Sequence, residues 1–265
     1  MIENKKEFKL VSKKTPKQLL PNALTIFGVC LGLSSIKFAL DANYTMSVIA
    51  IAIAAILDTL DGRVARLVKG TTKVGKELDS LTDVISFGVA PGFIMYFWTL
   101  NEVGKFGWML VLIYVVCCAL RLARFNLTTI DENESWKVNF FEGVPSPAAA
   151  GLVLLPLILN LSGLFQIGNF SILSSSVMIL TSILMVSNIP TYSLKKILIP
   201  RSMTIFLLLS IGIYLSLVIF YTFETLFLTG LIYILLIPIS YIHYNKISKK
   251  ITASVSRDEE TEDVL

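Results

Sequence analysis

Four aspartates within 26 residues, Asp58, Asp61, Asp79 and Asp83, have a type and spacing suited to chemistry. Asp58 and Asp61 are three apart, and Asp79 and Asp83 four apart, so each pair shares one helix face. The intervening Lys69-Gly70-Thr71-Thr72 predicts a turn that folds the second helix back on the first, bringing the four carboxylates together. Four anions at one point repel unless a cation neutralises them. Oxygen-only ligands suit Mg²⁺, Mn²⁺ or Ca²⁺ rather than zinc, and Mg²⁺ is commonly shared between protein carboxylates and substrate phosphates. Gly62 and Ala65, four and seven residues beyond Asp58, are small residues on its face that leave room for a ligand or a neighbouring helix. Arg66, eight beyond, offers a planar fork to a phosphate. The competing reading pairs the acids with Arg63, Arg66, Lys73 and Lys76 as interfacial ion pairs, which makes the small residues and the paired spacing accidental.

The elements that must carry these side chains are membrane helices. Of 265 residues, 54% are hydrophobic and 16% charged, with mean hydropathy +0.73. A soluble domain carries about 25% charged residues, so a secreted, disordered or ordinary cytosolic protein is excluded. Uncharged runs place about eight transmembrane helices, at roughly 20–40, 44–66, 80–100, 105–125, 147–165, 170–189, 202–222 and 225–244. The 52 residues from Gly143 to Leu194 carry no charge and are too long for one span of ~20 residues, so they divide near Gly163–Asn169. The expected fold class is an all-α integral, multi-pass protein of the cell (cytoplasmic) membrane. An even number of spans puts both termini on one side, and with that side cytosolic, 21 of the 23 Lys and Arg fall inside; Lys37 and Lys105 do not. The four aspartates then sit where the second and third helices meet the cytosolic interface, a depth at which ionisable groups read as functional.

Residues 1–19 form a basic segment, read either as lying along an anionic membrane surface or as a mobile tail. Residues 20–245 form the membrane domain, and 246–265 a charged tail expected to be disordered. No small-residue cleavage site follows the first apolar run, so that run is read as an uncleaved helix. Cys30, Cys117 and Cys118 have no metal-site or disulfide spacing and are expected to pack as small apolar side chains. His243, the one histidine, lies far along the chain from the acids and argues against a Ser-His-Asp apparatus. No nucleic-acid partner is expected.

The pattern Asp58-x2-Asp61-Gly62-x2-Ala65-Arg66-x8-Gly75-x3-Asp79-x3-Asp83 resembles the signature of the CDP-alcohol phosphatidyltransferases, with every position filled. Three flanking stretches resemble the phosphatidylserine synthase branch of that family: Ser80-Leu-Thr-Asp83-Val-Ile-Ser-Phe-Gly88-Val-Ala-Pro91, Arg121-Leu-Ala-Arg124-Phe-Asn126 and Gly143-Val-Pro-Ser146-Pro147-Ala-Ala-Ala150. With Pro21-Asn22-x2-Thr25, the resemblance covers about residues 20–195, and the last two helices carry no signature.

The resemblance implies a metal-dependent transfer of a phosphatidyl group from CDP-diacylglycerol to the hydroxyl of L-serine, giving phosphatidylserine and CMP. It implies a divalent metal held mainly by Asp58, Asp61 and Asp79, with Asp83 completing the site and acting as base. CDP-lipid contacts would come from Gly62, Ala65, Arg66 and Gly75, with Thr72, Asn22 and Thr25 nearby; Asn22 and Thr25 read equally as caps of the first helix. A homodimer among membrane lipids is also implied. Arg121 and Arg124 could pair with the serine carboxylate, or serve as snorkelling anchors. Ser146-Pro147 reads as an N-cap followed by Pro at N1, a helix start that could receive the same group. Glycerol 3-phosphate or an inositol phosphate remains as an alternative acceptor, and an acid-lined carrier or channel as the non-enzymatic reading.

Overall fold

The computed structural model describes residues 16–67, 73–127, 140–165, 168–192 and 203–262. Helix is the only open structure in which a lipid-embedded chain satisfies its own backbone, and the described residues form ten α-helices. These are α1 (Pro16–Leu40), α2 (Tyr44–Leu67), α3 (Lys73–Asp83), α4 (Ala90–Trp98), α5 (Lys105–Leu127), α6 (Ser146–Val153), α7 (Leu155–Ser162), α8 (Phe170–Val186), α9 (Thr204–Phe220) and α10 (Thr222–Glu262). Four stretches among them are long and apolar enough to cross a membrane: Pro21–Leu40, Val74–Trp98, Lys105–Leu127 and Thr222–Ile247. The apolar α8 and α9 are shorter. Large apolar side chains face outward, Ile205 at 76% and Phe206 at 71% exposure, an apolar exterior that suits a lipid surrounding.

Three departures from the sequence expectation have local causes. The helix expected over 147–165 is broken at Leu154 into α6 and α7. Pro156 has no N–H to donate and its ring crowds the carbonyl four residues back, so one helix ends and another begins. The helix expected over 80–100 starts earlier, at Lys73, and contains a π-helical turn, Val84–Val89, between α3 and α4. The helix expected to end near 244 continues to Glu262, through a segment whose composition predicts disorder. The turn expected at 69–72 lies outside the described residues.

The core is built on α4, α5, α6, α7 and α8, with Ile94, Met95, Tyr114, Val153, Leu157 and Met178 almost fully buried. Cys118 is buried and Cys117 half-buried, whereas Cys30 is exposed on the apolar flank of α1 and not packed inside as expected. α1 packs most extensively along α2 and also crosses α3, the π-helical turn and α4. At that crossing Ser86 Oγ donates to the Gly28 carbonyl at 3.3 Å. A Cβ on Gly32 would lie 2.6 Å from Ser86 Oγ and 2.9 Å from its Cα. Because backbone cannot yield as a side chain can, Gly32→Ala is expected to cost about 1–3 kcal/mol and to displace the turn that follows Asp83. The check is the melting temperature in detergent measured alongside turnover; an unchanged value for both would contradict this crossing.

Two three-residue strands, absent from the all-α expectation, complete the fold. β1 (Phe140–Glu142) pairs antiparallel with β2 (Pro190–Tyr192), Phe141 opposite Thr191. Gly143 follows at φ +73°, where a Cβ would strike the carbonyl oxygens of Met185 and Ser187 at 2.7 and 2.9 Å. Glycine is therefore required at this position. Gly143 N–H donates to the Ile189 carbonyl, and Thr191 Oγ1 donates to the Gly143 carbonyl at 2.7 Å. These bonds fix the start of α6 beside the end of α8.

Candidate active site

The last turns of α2 and the whole of α3 bring the four aspartates together. One carboxylate oxygen from each of Asp58, Asp61 and Asp79 lies within 4.8 Å of the others. Asp83 faces Asp58 within hydrogen-bonding range. Among the described residues none of the four forms a salt bridge with Lys or Arg, so the ion-pair reading fails for Arg63, Arg66 and Lys76. The Arg66 Nε instead donates to the Gly62 carbonyl one turn back, at 3.0 Å.

Two of the carboxylates, those of Asp61 and Asp83, are aimed by a neighbouring hydroxyl. Thr25 Oγ1, on α1, donates to Asp61 Oδ2 at 2.7 Å, and it also lies 3.0 Å from the Pro21 carbonyl. Asp61 and Thr25 are both buried, at 5% and 6% exposure. Ser146 Oγ donates to Asp83 Oδ2 at 3.2 Å and accepts from Arg121 Nη1 at 3.0 Å. Among the described residues, no donor reaches the buried Asp83 Oδ1. A set of hard oxygen donors, three converging and a fourth holding an unsatisfied buried oxygen, with no cation among the described residues paired to them, fits a divalent cation. Bare, these charges would repel strongly at this depth.

Several expected site residues occupy different roles. α1 begins at Pro16, so Asn22 and Thr25 lie inside the helix and cap nothing. Proline suits a first turn, where its missing N–H has no partner to lose. Thr25 orients a carboxylate of the cluster. The N-cap of α6 is Pro145, not Ser146, and the Ser146 hydroxyl is engaged by Asp83 and Arg121 instead of capping. Arg124 bonds to groups at the end of α8 and on β1. Its Nη1 donates to the Val186 carbonyl and Asn188 Oδ1, and its Nη2 to the Ser187 and Glu142 carbonyls, tying α5 to the end of α8. Gly62 is exposed, with nothing within 4 Å of where a Cβ would be, and so leaves open space beside the cluster. Ala65 and Gly75 are half-buried on the facing helices α2 and α3. Thr72 lies outside the described residues.

The π-helical turn is the feature that spacing could not reveal. A widened turn leaves backbone carbonyls without their usual helical donors, and such turns recur at functional sites. Here the fully buried Tyr114 donates its hydroxyl to the Phe87 carbonyl at 2.7 Å. A Cβ on Gly88 would meet Cys118 Sγ at 3.2 Å, so the turn and α5 approach closely one helical turn before Arg121. The available signal was a tyrosine inside an apolar run, since a buried phenol requires a partner. On α5's last turns, Asn126 Nδ2 donates to Ser80 Oγ at 2.8 Å, holding α5 against α3.

An all-helical membrane scaffold with a converging aspartate cluster between α2 and α3 defines the class, and the comparisons agree. The chain belongs to the CDP-alcohol phosphatidyltransferase family, which matches residues 18–191. It is 40% identical over 188 residues to a Mycobacterium leprae protein named CDP-diacylglycerol–serine O-phosphatidyltransferase, covering 69% of this chain and 61% of that one. A Helicobacter pylori protein of the same name is 43% identical over 182 residues, covering 69% and 75%. An archaetidylserine synthase from Methanothermobacter thermautotrophicus is 34% identical over 177 residues, covering 64% and 68%. The match therefore spans less than two thirds of the mycobacterial relative's length.

Proposed function

We propose that this protein transfers the phosphatidyl group of CDP-diacylglycerol to the hydroxyl of L-serine, releasing CMP and phosphatidylserine. The observation that carries this reading is the cluster of Asp58, Asp61 and Asp79 with Asp83 facing it. The serine-specific names of relatives that share about 40% of aligned residues support the acceptor.

In this reading the carboxylates of Asp58, Asp61 and Asp79 hold Mg²⁺ or Mn²⁺, with Ca²⁺ as a third candidate. When bound, the metal neutralises the pyrophosphate and the charge that grows on departing CMP. The exposed Gly62 and the adjoining Ala65, Arg66 and Gly75 flank the space for the CDP moiety. Ser146 holds Asp83 Oδ2 and leaves Oδ1 to accept the hydroxyl proton. The serine oxygen then bonds to the lipid-linked phosphorus as the bond from that phosphorus to the CMP oxygen breaks. Arg121, buried at 7% exposure, is the cation for the serine carboxylate; Arg124 is committed to the α8 carbonyls. CMP release from the purified protein, given CDP-diacylglycerol and a panel of alcohols, tests the assignment. Serine should be the best acceptor, and faster turnover with glycerol 3-phosphate or an inositol phosphate would overturn it.

The same reading places eight passes in the membrane: α1, α2, α3 with α4, α5, α6 with α7, α8, α9 and α10, arranged as a homodimer with residues 20–245 as the membrane domain. Two sets of contacts support this alternation. The β1–β2 pair joins the start of α6 to the end of α8, while Ser171 Oγ donates to Glu102 Oε2 at 2.7 Å, joining the start of α8 to the α4–α5 connection. The basic residues then put the aspartates and both termini in the cytosol. In intact cells a membrane-impermeant thiol reagent should label Lys105→Cys and spare Ser256→Cys. Labelling of position 256 from outside would invert the topology. A carrier is disfavoured because the acids cluster at one end of their helices, whereas transport sites lie near mid-membrane.

A further inference from the structure

The one histidine of the sequence, His243, lies on α10 against the β1–β2 ribbon. The Tyr192 hydroxyl and His243 Nδ1 are hydrogen-bonded at 2.9 Å, and their rings meet at 5.9 Å. Phe140, opposite Tyr192 in the ribbon, stacks on Tyr192 at 5.7 Å and meets His243 edge-on at 6.1 Å. Tyr244, the next residue of α10, meets Phe140 edge-on at 5.2 Å. Ring pairs in such geometries attract beyond the area they bury, so α10 grips both strands. The ribbon in turn holds the residue that aims the candidate base. Thr191, beside Tyr192, donates its hydroxyl to the Gly143 carbonyl at 2.7 Å. Three residues after Gly143, Ser146 Oγ reaches Asp83 Oδ2 at 3.2 Å, already beyond the usual O–H···O range of about 2.5–3.0 Å. A small retreat of the start of α6 would therefore break that bond. Thr191, Val144 and Ser146 are all almost fully buried, and a close-packed interior passes a displacement on.

We infer that His243 is a positioning residue for the transfer: by holding Tyr192 it holds the ribbon, and through Gly143 it keeps Ser146 against Asp83. The inference rests on the reading of Asp83 as base and requires no particular acceptor alcohol. It gives α10, a helix without any recognisable motif, a part in the reaction.

His243→Ala removes the hydrogen bond and the ring contacts together. Its kcat in the full-length protein is expected to fall about three- to tenfold, since small misplacements of catalytic groups are costly, with the CDP-diacylglycerol KM within about twofold of wild type. His243→Asn, whose amide can take the place of Nδ1 toward Tyr192, should return kcat to within about twofold of wild type. In a Ser146→Ala background the ribbon has no hydroxyl left to aim, so adding His243→Ala should change kcat by less than about twofold. Wild-type kcat in His243→Ala would overturn the assignment, as would a His243→Asn variant no better than His243→Ala. So would an equal fall with and without the Ser146 hydroxyl, the result expected of a merely structural role. If His243→Ala does not fold, Tyr192→Phe, which removes one oxygen and keeps the ring, takes its place in the same comparison. Near-normal turnover in Asp83→Asn would end the base reading itself, and wild-type protein that releases no CMP with any alcohol would end the transfer reading. Both are measured before the His243 variants are compared.

Discussion

Asp58→Asn, Asp61→Asn and Asp79→Asn are each expected to lower turnover by about a thousandfold, the scale seen when a preorganised electrostatic contact to developing charge is lost. The substitution keeps the shape and removes one negative charge. Because the three oxygens lie within 4.8 Å of one another, losing any one weakens cation binding and pyrophosphate binding together. The apparent affinity for CDP-diacylglycerol should therefore fall along with the rate. The amide of Asp61→Asn can still accept from Thr25, so its melting temperature should stay close to that of Asp58→Asn. Excess chelator should silence the wild type, and restored Mg²⁺ or Mn²⁺ should recover it. Turnover that survives chelation would remove the metal from the mechanism, and a single Asn variant with near-normal turnover would remove that residue from the ligand set.

Asp83→Asn should behave differently. Its turnover is expected to fall by about 10²–10⁴-fold, the usual contribution of general base catalysis, while the CDP-diacylglycerol KM stays within about threefold. The distinction follows from position. Asp83 is not one of the three converging oxygens; it faces Asp58 and is held through Oδ2 by Ser146. An amide at 83 can still accept from Ser146, so the Arg121–Ser146 arrangement survives, but it cannot take a proton. Measured KM and kcat for both substrates separate this from the metal-ligand variants. Substantial turnover in Asp83→Asn would end the base assignment, and a parallel collapse of CDP-lipid affinity would make Asp83 a fourth ligand instead.

Local chemistry explains which of these features were legible in the sequence. Aspartates at three- and four-residue spacing in an apolar chain have one economical explanation, a shared helical face, and the cluster forms as that spacing requires. Spans were legible because lipid enforces long uncharged runs. Boundaries inside such runs were not: the break at Leu154 and the π-helical turn at Val84–Val89 arise in stretches where every residue is apolar or small. The roles of single polar residues were the least legible. Thr25 and Ser146 each read locally as a cap, which neither is, and Thr25, Ser146 and Arg124 each make a long-range bond that no local reading supplies.

The sequence by itself determined the helical membrane class and the aspartate cluster, because helical periodicity and the cost of charge in lipid act over a few residues at a time. Only the tertiary structure decided which side chains aim the carboxylates. Thr25 reaches Asp61 from 36 residues away, Ser146 reaches Asp83 from 63 away, and Arg124 reaches Asn188 from 64 away. Such partners are set by where helices cross, through close approaches such as Gly32 on Ser86 and Gly88 on Cys118. Crossing geometry depends on the packing of both surfaces at once, and no single stretch of chain contains it.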